Sequence, residues 1–491
     1  MMASSAAGEN TNSKRFGIET IDPKLMPGPC INPVIRLLIY VYYILTAGCI
    51  YWGWNGLQEI LYKAGAFENY CEKKDGVDVV YKTLYGKQYI DCAERAGGIN
   101  NLYTIAYSTH FICSFLGGWL LDRFGPRVCF VSGQFFSIVA WATIFCFPRN
   151  AVLLRIAFVI VGLCCEACYI PMLSVSKYFP NGSSTVIAIM GSCRSLSFFV
   201  PTLLSWIYHT EGFKSENLYV IGLCYLLMSN VLCFVSGIFV LPKEIPVPPS
   251  ERKAPREDAY QLESTADSTS IDSKKAVGTD ILGSIKKGFS SPQISEFIVL
   301  TAAVCLFMPS IEFVNKSQGD LLVASGDGGD ATGVFKYFNI LTFVPGPFLG
   351  ALMDRVGPAI VMNFLHLCAF LYYASTVFDV YAMKIVACCF YLLAGSLCIS
   401  TAYCYVNTRF PSEYFGVLVT IIFGIAGLIS LINIPLYNWG LSLNTLPKEQ
   451  RFRPLSYIFM GYMGMAFTLS GTLIYLSVVR PKKTAKAEGD V

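Results

Sequence analysis

Long apolar runs recur along nearly the whole chain, and they constrain its fold more than any other feature. Only 14% of the 491 residues are charged, whereas soluble proteins carry about a quarter. A helix needs about 20 apolar residues to cross a bilayer. Twelve stretches meet this need: 34–61, 99–121, 128–147, 151–177, 184–208, 217–241, 293–315, 333–353, 359–378, 382–408, 413–440 and 455–479. The sequence therefore predicts an all-α integral membrane protein with twelve transmembrane helices.

A long polar segment, residues 242–292, separates the sixth predicted helix from the seventh. It contains eight basic residues, eight acidic residues and six prolines, a composition that cannot bury a hydrophobic core. We expect a flexible linker here. The predicted organisation is an N-terminal tail (1–33), a six-helix bundle (34–241), the linker (242–292), a second six-helix bundle (293–479) and a C-terminal tail (480–491).

The distribution of basic residues predicts the orientation of the chain. Short cytoplasmic connections are enriched in Lys and Arg. The connections that share a side with both tails and the linker contain Arg123, Arg127, Lys177, Arg355 and Arg409. We therefore expect both termini and the linker in the cytoplasm, although the basic residues at 448, 451 and 453 fall on the opposite side.

Most of the nineteen cysteines lie singly within apolar runs, where Cys behaves as a small hydrophobic residue. Cys164, Cys165 and Cys168 share one predicted helix with no His beside them, so no metal site is expected there. Cys71 and Cys92 instead lie in the polar stretch 64–98. If that loop is extracytoplasmic, a disulfide between them is expected, and it favours the plasma membrane or a compartment with an oxidising lumen.

An internal repeat relates the two predicted bundles. The segment GWLLDRFGPRVCF (118–130) matches GALMDRVGPAIVM (350–362) at an offset of 232, with Gly, Leu, Asp, Arg, Gly and Pro coinciding. Parallel repeats of this kind build transporters from two bundles around a central site. We interpret the charged turns as a latch that helps to close the cytoplasmic side; the alternative is that their charges only enforce topology. The gating residues are Asp122, Arg123, Gly125, Arg127, Asp354 and Arg355.

The motif G-x-L-x-D-R-x-G-P-R resembles the signature loop between helices two and three of the major facilitator superfamily, with a degenerate second copy between helices eight and nine. Three further segments are similar to the system-L-type facilitative amino-acid transporters and to the related apicomplexan amino-acid transporter family: YWGWNGLQEILYKAGAFENYC (51–71), Cys92 with the DRFGPR loop, and FPNGSSTVIAIMGS (179–192). The resemblance implies alternating access to a central site and an amino acid or close analogue as substrate.

Two opposite charges lie at a similar depth inside the predicted bundle. Glu166 precedes the cytoplasmic end of helix four by about 12 residues and Arg194 follows the start of helix five by about 10, which puts both roughly 15–18 Å deep. Either they form a permanent structural ion pair, or Arg194 binds the substrate carboxylate while Glu166 orients it or binds an amino group. Ser192, close to Gly191, would let a small zwitterion approach.

Two other groups are candidate substrate-binding residues. Helix one offers aromatic faces and amides around Gly53 and Gly56; the alternative is an interfacial aromatic belt. Near the outer end of helix seven, Glu312 would bind a cationic side chain, unless it is merely solvated. The helix-one candidates are Trp52, Trp54, Asn55 and Gln58. His110 and His366 are expected to be hydrogen-bonded packing residues.

These features favour a secondary-active or facilitative transporter of amino acids. A carrier of another organic solute such as a sugar or organic anion, or a nutrient receptor that does not transport, remains the alternative. No constellation of catalytic residues predicts an enzyme, no GxxxxGK[ST] motif predicts ATP binding, and we expect no cofactor, metal or nucleic acid. We expect a monomer in the lipid bilayer. Glu166 is a candidate for proton coupling unless Arg194 keeps it ionised, in which case facilitated diffusion or exchange follows.

Overall fold

The computed structural model describes most of the chain between residues 13 and 479. The residues outside this description are 1–12, 16–17, 23, 25–27, 72–79, 180–182, 245, 247–290, 325–330, 411–414, 444 and 480–491. Most of the predicted linker and all of the predicted C-terminal tail therefore lie outside the described residues.

The described residues of the first half form nine α-helices, and these occupy the first six predicted spans. They are α1 (Pro33–Ala47), α2 (Trp54–Lys63), α3 (Ala93–Ile112), α4 (Ser114–Cys146), α5 (Ala151–Leu173), α6 (Ser183–Leu196), α7 (Phe199–His209), α8 (Leu218–Leu226) and α9 (Leu232–Val240). Two antiparallel β-hairpins lie outside these spans, β1 (Ser13–Arg15) with β2 (Ile18–Thr20) and β3 (Val80–Leu84) with β4 (Lys87–Asp91).

The second half has nine further described α-helices over the remaining six spans. They are α10 (Ser291–Leu321), α11 (Thr332–Leu341), α12 (Pro345–Val356), α13 (Pro358–Thr376), α14 (Tyr381–Ser396), α15 (Ser400–Arg409), α16 (Phe415–Ser430), α17 (Asn433–Ser442) and α18 (Arg453–Ile474). Local sequence explains several helix starts. Asn150 accepts hydrogen bonds from the amides of Val152 and Leu153 at the start of α5, and proline occupies the first turn of α1 and α13.

Eight helical stretches among the described residues are long and apolar enough to cross a membrane. The other four predicted spans, 34–61, 99–121, 184–208 and 333–353, are broken or more polar. Span 34–61 was expected as one helix, but the chain breaks between α1 and α2 at Gly48–Gly53. Similar breaks separate α6 from α7 and α11 from α12. Interrupted helices release backbone groups and bring polar side chains into the membrane interior, which is typical of transporter binding sites.

The repeated turn has the same backbone conformation in both halves. Gly125 has φ 79° and ψ 173°, and Gly357 has φ 92° and ψ 154°. Both angles lie in a region that is essentially restricted to glycine, and each glycine precedes the proline that begins the next helical segment. Gly125 is also crowded, since an added Cβ would lie 1.8 Å from the carbonyl oxygen of Lys243. The matching backbones support the internal repeat.

The two halves of the chain contact each other at the end of the molecule where the β3–β4 hairpin lies. We call the end with the β3–β4 hairpin the hairpin end and the end with Gly125 and Gly357 the turn end. At the hairpin end, the start of α3 packs against α17 of the second half, and further along its length α3 contacts α10 and α16. One continuous hydrophobic core includes residues of both halves. The disulfide Cys71–Cys92 joins the segment that precedes the hairpin to the N-cap residue of α3. The structure therefore has the predicted disulfide and a closed hairpin end.

Candidate functional site

A buried charged group lies where three helices of the first bundle meet. Glu166 of α5 is 3% exposed, and its Oε1 lies 2.6 Å from Nε2 of His110 in α3 and 3.4 Å from Nη2 of Arg194 in α6. The predicted Glu166–Arg194 pair is therefore present in the structure. His110, which we expected to be a packing residue, connects this pair to helix α3.

Aromatic side chains surround this group. The hydroxyl of Tyr51 lies 2.8 Å from Nδ1 of His110, and the guanidinium of Arg194 lies 4.4 Å from the ring centre of Tyr169. The other carboxylate oxygen of Glu166, Oε2, is buried and has no hydrogen-bond partner among the described residues. Because a buried polar atom without a partner is costly, this oxygen marks a position where a ligand donor would be stabilised.

The charged group lies close to the second bundle. Helix α6, which carries Ser192 and Arg194, packs against α11 and α12. A Cβ added to Gly346 of α12 would lie 3.3 Å from Oγ of Ser192, and one added to Gly191 would lie 4.0 Å from Oγ of Ser400 in α15. A molecule bound between these groups would contact both bundles.

The candidate residues of the first span divide into two sets. Trp52 stacks on Phe198 with ring centres 5.8 Å apart, and its indole nitrogen has no partner in the described structure. Trp54 and Gln58 instead donate to Oδ1 of Asn100, at 3.0 and 2.7 Å. With Asn55, these four side chains are at most 8% exposed, so the alternative of an interfacial belt is wrong.

Glycines allow this close approach. A Cβ on Gly53 would lie 2.3 Å from the carbonyl oxygen of Phe198, and one on Gly56 would lie 2.4 Å from the backbone of Pro201 and Thr202. Real Cβ atoms do not approach other atoms so closely, so the break in the first span packs directly on the backbone of the fifth span. This contact fixes where Trp52 lies relative to α6 and α7.

Glu312 belongs to a separate polar cluster nearer the hairpin end. It is fully buried, which excludes simple solvation, and its Oε1 accepts a 2.5 Å hydrogen bond from Thr104 of the first bundle. Its other oxygen accepts a hydrogen bond from Asn433. Lys316, one helical turn away, donates to Oγ1 of Thr104 and to the carbonyl of Asn433, both at 2.9 Å. The sequence interpretation missed Lys316, Thr104 and Asn433.

At the hairpin end, an ion pair connects the first bundle to the second. Glu59 of α2 pairs with Lys336 of α11. The same carboxylate accepts hydrogen bonds from Ser205 at 2.7 Å and from Tyr85, at the hairpin tip, at 3.0 Å. Burial and the neighbouring Glu59 raise the pKa of Tyr85, so Tyr85 acts as a hydrogen-bond donor. The ring of Tyr85 stacks on His209 with centres 4.4 Å apart.

The predicted latch residues make their described contacts within their own bundle. The guanidinium of Arg123 lies 5.6 Å from the ring centre of Trp119, and Nε of Arg127 donates to the carbonyl of Leu241 at 2.9 Å. Asp122, Asp354 and Arg355 are exposed at the turn end. The role of these residues in closing that end therefore remains a prediction.

Two cavities at the hairpin end lie away from the charged group. They have volumes of about 330 and 280 Å³, and both are bordered by Arg149 and Ser215. Neither is lined by Glu166, His110 or Arg194. The buried charges and the orphaned carboxylate oxygen define the better candidate site, because they supply the complementary chemistry that a zwitterion needs.

Two helical bundles that meet around buried charges define a membrane transporter. The chain belongs to the Major Facilitator Superfamily, whose family model matches residues 94–434. The predicted family, fold class and transporter character are thereby confirmed.

Similar proteins include amino-acid transporters of apicomplexan parasites. Arginine transporter 1 of Toxoplasma gondii is 25% identical over 83% of this chain and 82% of its own length. Cationic amino acid transporter 8 of Plasmodium berghei is 25% identical over 83% of each chain. Aromatic and large neutral amino acid transporter 5-3 of Toxoplasma gondii is 27% identical over 84% of this chain and 78% of its own.

Solved structures support the same fold. A peptide transporter of the POT family in an auto-inhibited form has a TM-score of 0.58 at 11% identity, covering 90% of this chain and 96% of its own. A human organic anion transporter has a TM-score of 0.57 at 12% identity, covering 90% of this chain and 100% of its own. At such identities the likeness concerns the fold alone.

Proposed function

We propose that this protein transports amino acids by alternating access and binds them at the Glu166–Arg194 group. The observation that carries the proposal is a buried guanidinium beside a buried carboxylate with one unpartnered oxygen, next to the second bundle. Arg194 would receive the substrate carboxylate, and Oε2 of Glu166 would accept from the substrate ammonium. The names of the three parasite relatives described above, each an amino-acid transporter, support this substrate class.

The contacts at the hairpin end support the alternating part of the proposal. Thr104 with Glu312 and Glu59 with Lys336 connect the two bundles on that side. These contacts must separate before substrate enters from the hairpin end, and the turn end must close at the same time. We infer that the charged turns at Asp122–Arg127 and Asp354–Arg355 form the complementary closure.

We further propose that the hairpin end faces outward and that both termini are cytoplasmic, in the plasma membrane. The disulfide Cys71–Cys92 supports an oxidising environment at the hairpin end, and the basic residues of the turn end support a cytoplasmic location. Because one chain supplies both bundles of the interface, a monomer is the proposed transport unit.

Facilitated transport or exchange fits the charged group better than proton coupling through Glu166. Its Oε1 lies near both Arg194 and His110, and neutralising the buried Arg194 requires the carboxylate in its charged form. A pH-sensitive dye inside proteoliposomes tests this point. Substrate-dependent acidification that is lost in Glu166→Gln would instead establish coupling through this residue.

The decisive experiment for the substrate class is counterflow of labelled amino acids in proteoliposomes, with a full panel of amino acids, sugars and organic anions as competitors. We expect amino acids to compete. Arg194→Ala should weaken apparent affinity about 10- to 100-fold, because hydrogen bonds to charged groups contribute about 1.5–3 kcal/mol. Arg155→Ala, at an exposed position of α5, is the matched control.

The outcomes separate the candidate functions. Competition by sugars or organic anions alone would overturn the amino-acid assignment. Saturable binding without counterflow would indicate a nutrient receptor. Normal affinity in Arg194→Ala, with uptake intact, would make Arg194 part of the scaffold and not of the substrate site.

A further inference from the structure

Two cysteines lie beside His110 of the charged group and have no role in the proposed transport reaction. The ligand atoms of Cys49, His110 and Cys165 all lie within 4.8 Å of one another, and all three residues are buried. They come from the break in the first span, from α3 and from α5. No metal was expected at Cys165 because the sequence places no His beside it; the fold supplies His110 from another helix.

Two thiols and one imidazole form a donor set that suits Zn²⁺ and its thiophilic analogues. With Zn–S bonds of about 2.3 Å and Zn–N bonds of about 2.0 Å, a tetrahedral site separates its sulfurs by about 3.8 Å and sulfur from nitrogen by about 3.5 Å. Because the three ligand atoms lie up to 4.8 Å apart, they must approach one another by about 1 Å when the metal binds. Rotation of the cysteine side chains supplies movements of this size.

The surroundings of His110 match those of a metal-bound histidine. Such histidines usually donate their second ring nitrogen to a carboxylate, which orients the ring. Here Nε2 lies 2.6 Å from Oε1 of Glu166. Nδ1 is then the nitrogen left to bind a metal in place of its present contact with the hydroxyl of Tyr51 at 2.8 Å.

The charges also balance. Binding of a divalent cation to two thiols releases two protons, according to M²⁺ + 2 RSH → M(SR)₂ + 2 H⁺, so the net charge of the site does not change. The negative charge of Glu166 stays paired with Arg194, whose Nη2 lies 3.4 Å away. Neutrality matters because an uncompensated charge inside the membrane costs several kcal/mol.

We propose that Cys49, His110 and Cys165 form an inhibitory site for Zn²⁺ or Cd²⁺, with a fourth position for water or a substrate carboxylate. The bound cation joins the first, second and fourth spans next to the Glu166–Arg194 group. A cation at this position captures the substrate carboxylate or excludes it from Arg194, and in either case it interrupts transport. The inhibition rests on the proposed transport function, whereas the binding does not.

Binding is tested first, by titrating the purified protein with Co²⁺ and following thiolate-to-metal absorption. We expect one equivalent of tetrahedral thiolate-bound Co²⁺ per chain, displaced by Zn²⁺ or Cd²⁺. Cys49→Ser and Cys165→Ser should each remove this equivalent, and Cys164→Ser, another buried cysteine of the same helix, should retain it. The alanine variants repeat the test with a residue that cannot coordinate, and a thermal melt of each variant confirms folding.

Transport is tested second, as inhibition of labelled amino-acid uptake by Cd²⁺ in proteoliposomes. We expect inhibition of the native protein and at least a tenfold weaker effect in folded Cys49→Ala or Cys165→Ala. If the native protein gives no thiolate band, or if the band survives in both variants, the site does not exist. A band without inhibition would limit the proposal to binding alone and refute its inhibitory role.

Discussion

Glu59 of the first bundle and Lys336 of the second form an ion pair across the bundle interface, with side chains only 7% and 17% exposed. The carboxylate also accepts hydrogen bonds from the hydroxyls of Ser205 and Tyr85. The side chain of Glu59 therefore connects α2, α7 and the hairpin of the first half to the second half. This pair is a charged contact between the two bundles at the hairpin end.

Removing the charge of Glu59 should favour opening of the hairpin end. Glu59→Gln retains hydrogen-bonding groups for Ser205 and Tyr85 but leaves Lys336 unpaired. Breaking a fully buried ion pair costs about 3–5 kcal/mol. Because Lys336 is partly exposed, we expect Glu59→Gln to destabilise the closed state by only about 1–2 kcal/mol. This change raises the ratio of open to closed molecules about tenfold. Hydrogen–deuterium exchange should rise at α2, α11 and α17. Lys336→Gln in the same background should add little, and full additivity of the two changes would contradict the pairing.

The two repeated glycines should differ in their tolerance of alanine. Gly125 and Gly357 share a positive φ, so each alanine variant is strained by about 1–3 kcal/mol. Only at position 125 does the new Cβ meet an atom, the carbonyl oxygen of Lys243 at 1.8 Å. Thermal melts in detergent should therefore show a clearly larger loss for Gly125→Ala than for Gly357→Ala. Equal losses would mean that the contact with Lys243 is unimportant.

The disulfide should stabilise the hairpin end. Cys71 and Cys92 enclose a segment with a sequence separation of 21 residues, and closing a loop of this size contributes about 3 kcal/mol. The double variant Cys71→Ser/Cys92→Ser should lower the melting temperature and increase deuterium exchange in β3 and β4. Cys389→Ser, at an exposed free cysteine, is the control. Unchanged exchange in the hairpin would show that its docking does not depend on the disulfide.

Acidification should weaken docking of the hairpin through His209, the last residue of α7 beyond the predicted span 184–208. Burial lowers the pKa of His209 from its ordinary value of 6.5. The hydrogen bond to the Ser205 carbonyl and the charge of Glu59 raise the pKa and so offset part of this effect. The positive charges of Lys63 and Lys336 lower it further. The undocked state thus binds more protons below pH 6.5. Docking is strongest above this pH and weakens as the pH falls below it.

Deuterium exchange of the hairpin between pH 7.5 and about 5.5, corrected for intrinsic exchange rates, measures this effect. We expect His209→Gln to flatten the profile, since its side chain does not titrate. The variant His366→Gln changes a buried histidine of α13 far from the hairpin and serves as the control. A profile that is equally steep in His209→Gln would assign the titration to another group.

Much of this architecture follows from sequence, because hydrophobic length and repeat spacing are local properties. The Glu166–Arg194 pair was found from depth alone. His110 is buried and hydrogen-bonded, as predicted, but its contact with Glu166 was not predicted. It precedes the end of its predicted span by about 11 residues and so lies about 16 Å deep, at the level of Glu166. The same depth argument applied to every polar residue would have found it.

The contacts between bundles could not be predicted in this way. The hydrogen-bonded residues Thr104 and Glu312 are 208 positions apart in the sequence, and Asn100 and Tyr437, which are also hydrogen-bonded, are 337 positions apart. Which residues face each other across the interface depends on how the helices rotate and where they break. The hydrogen bonds that Trp54 and Gln58 donate to Asn100 were therefore not predicted, and the substrate-binding role of these two residues stays a prediction.

Tyr85 connects the hairpin to the contact between the two bundles, at a position away from the proposed substrate site. It projects from a disulfide-tied hairpin, yet its hydroxyl contacts Glu59 and its ring lies 5.4 Å from the ammonium of Lys336. An antibody fragment that binds the hairpin in this docked position would keep the hairpin end of the carrier closed. Such a molecule would reduce the maximal uptake rate without competing with the substrate, so it would act equally on every solute that the carrier accepts.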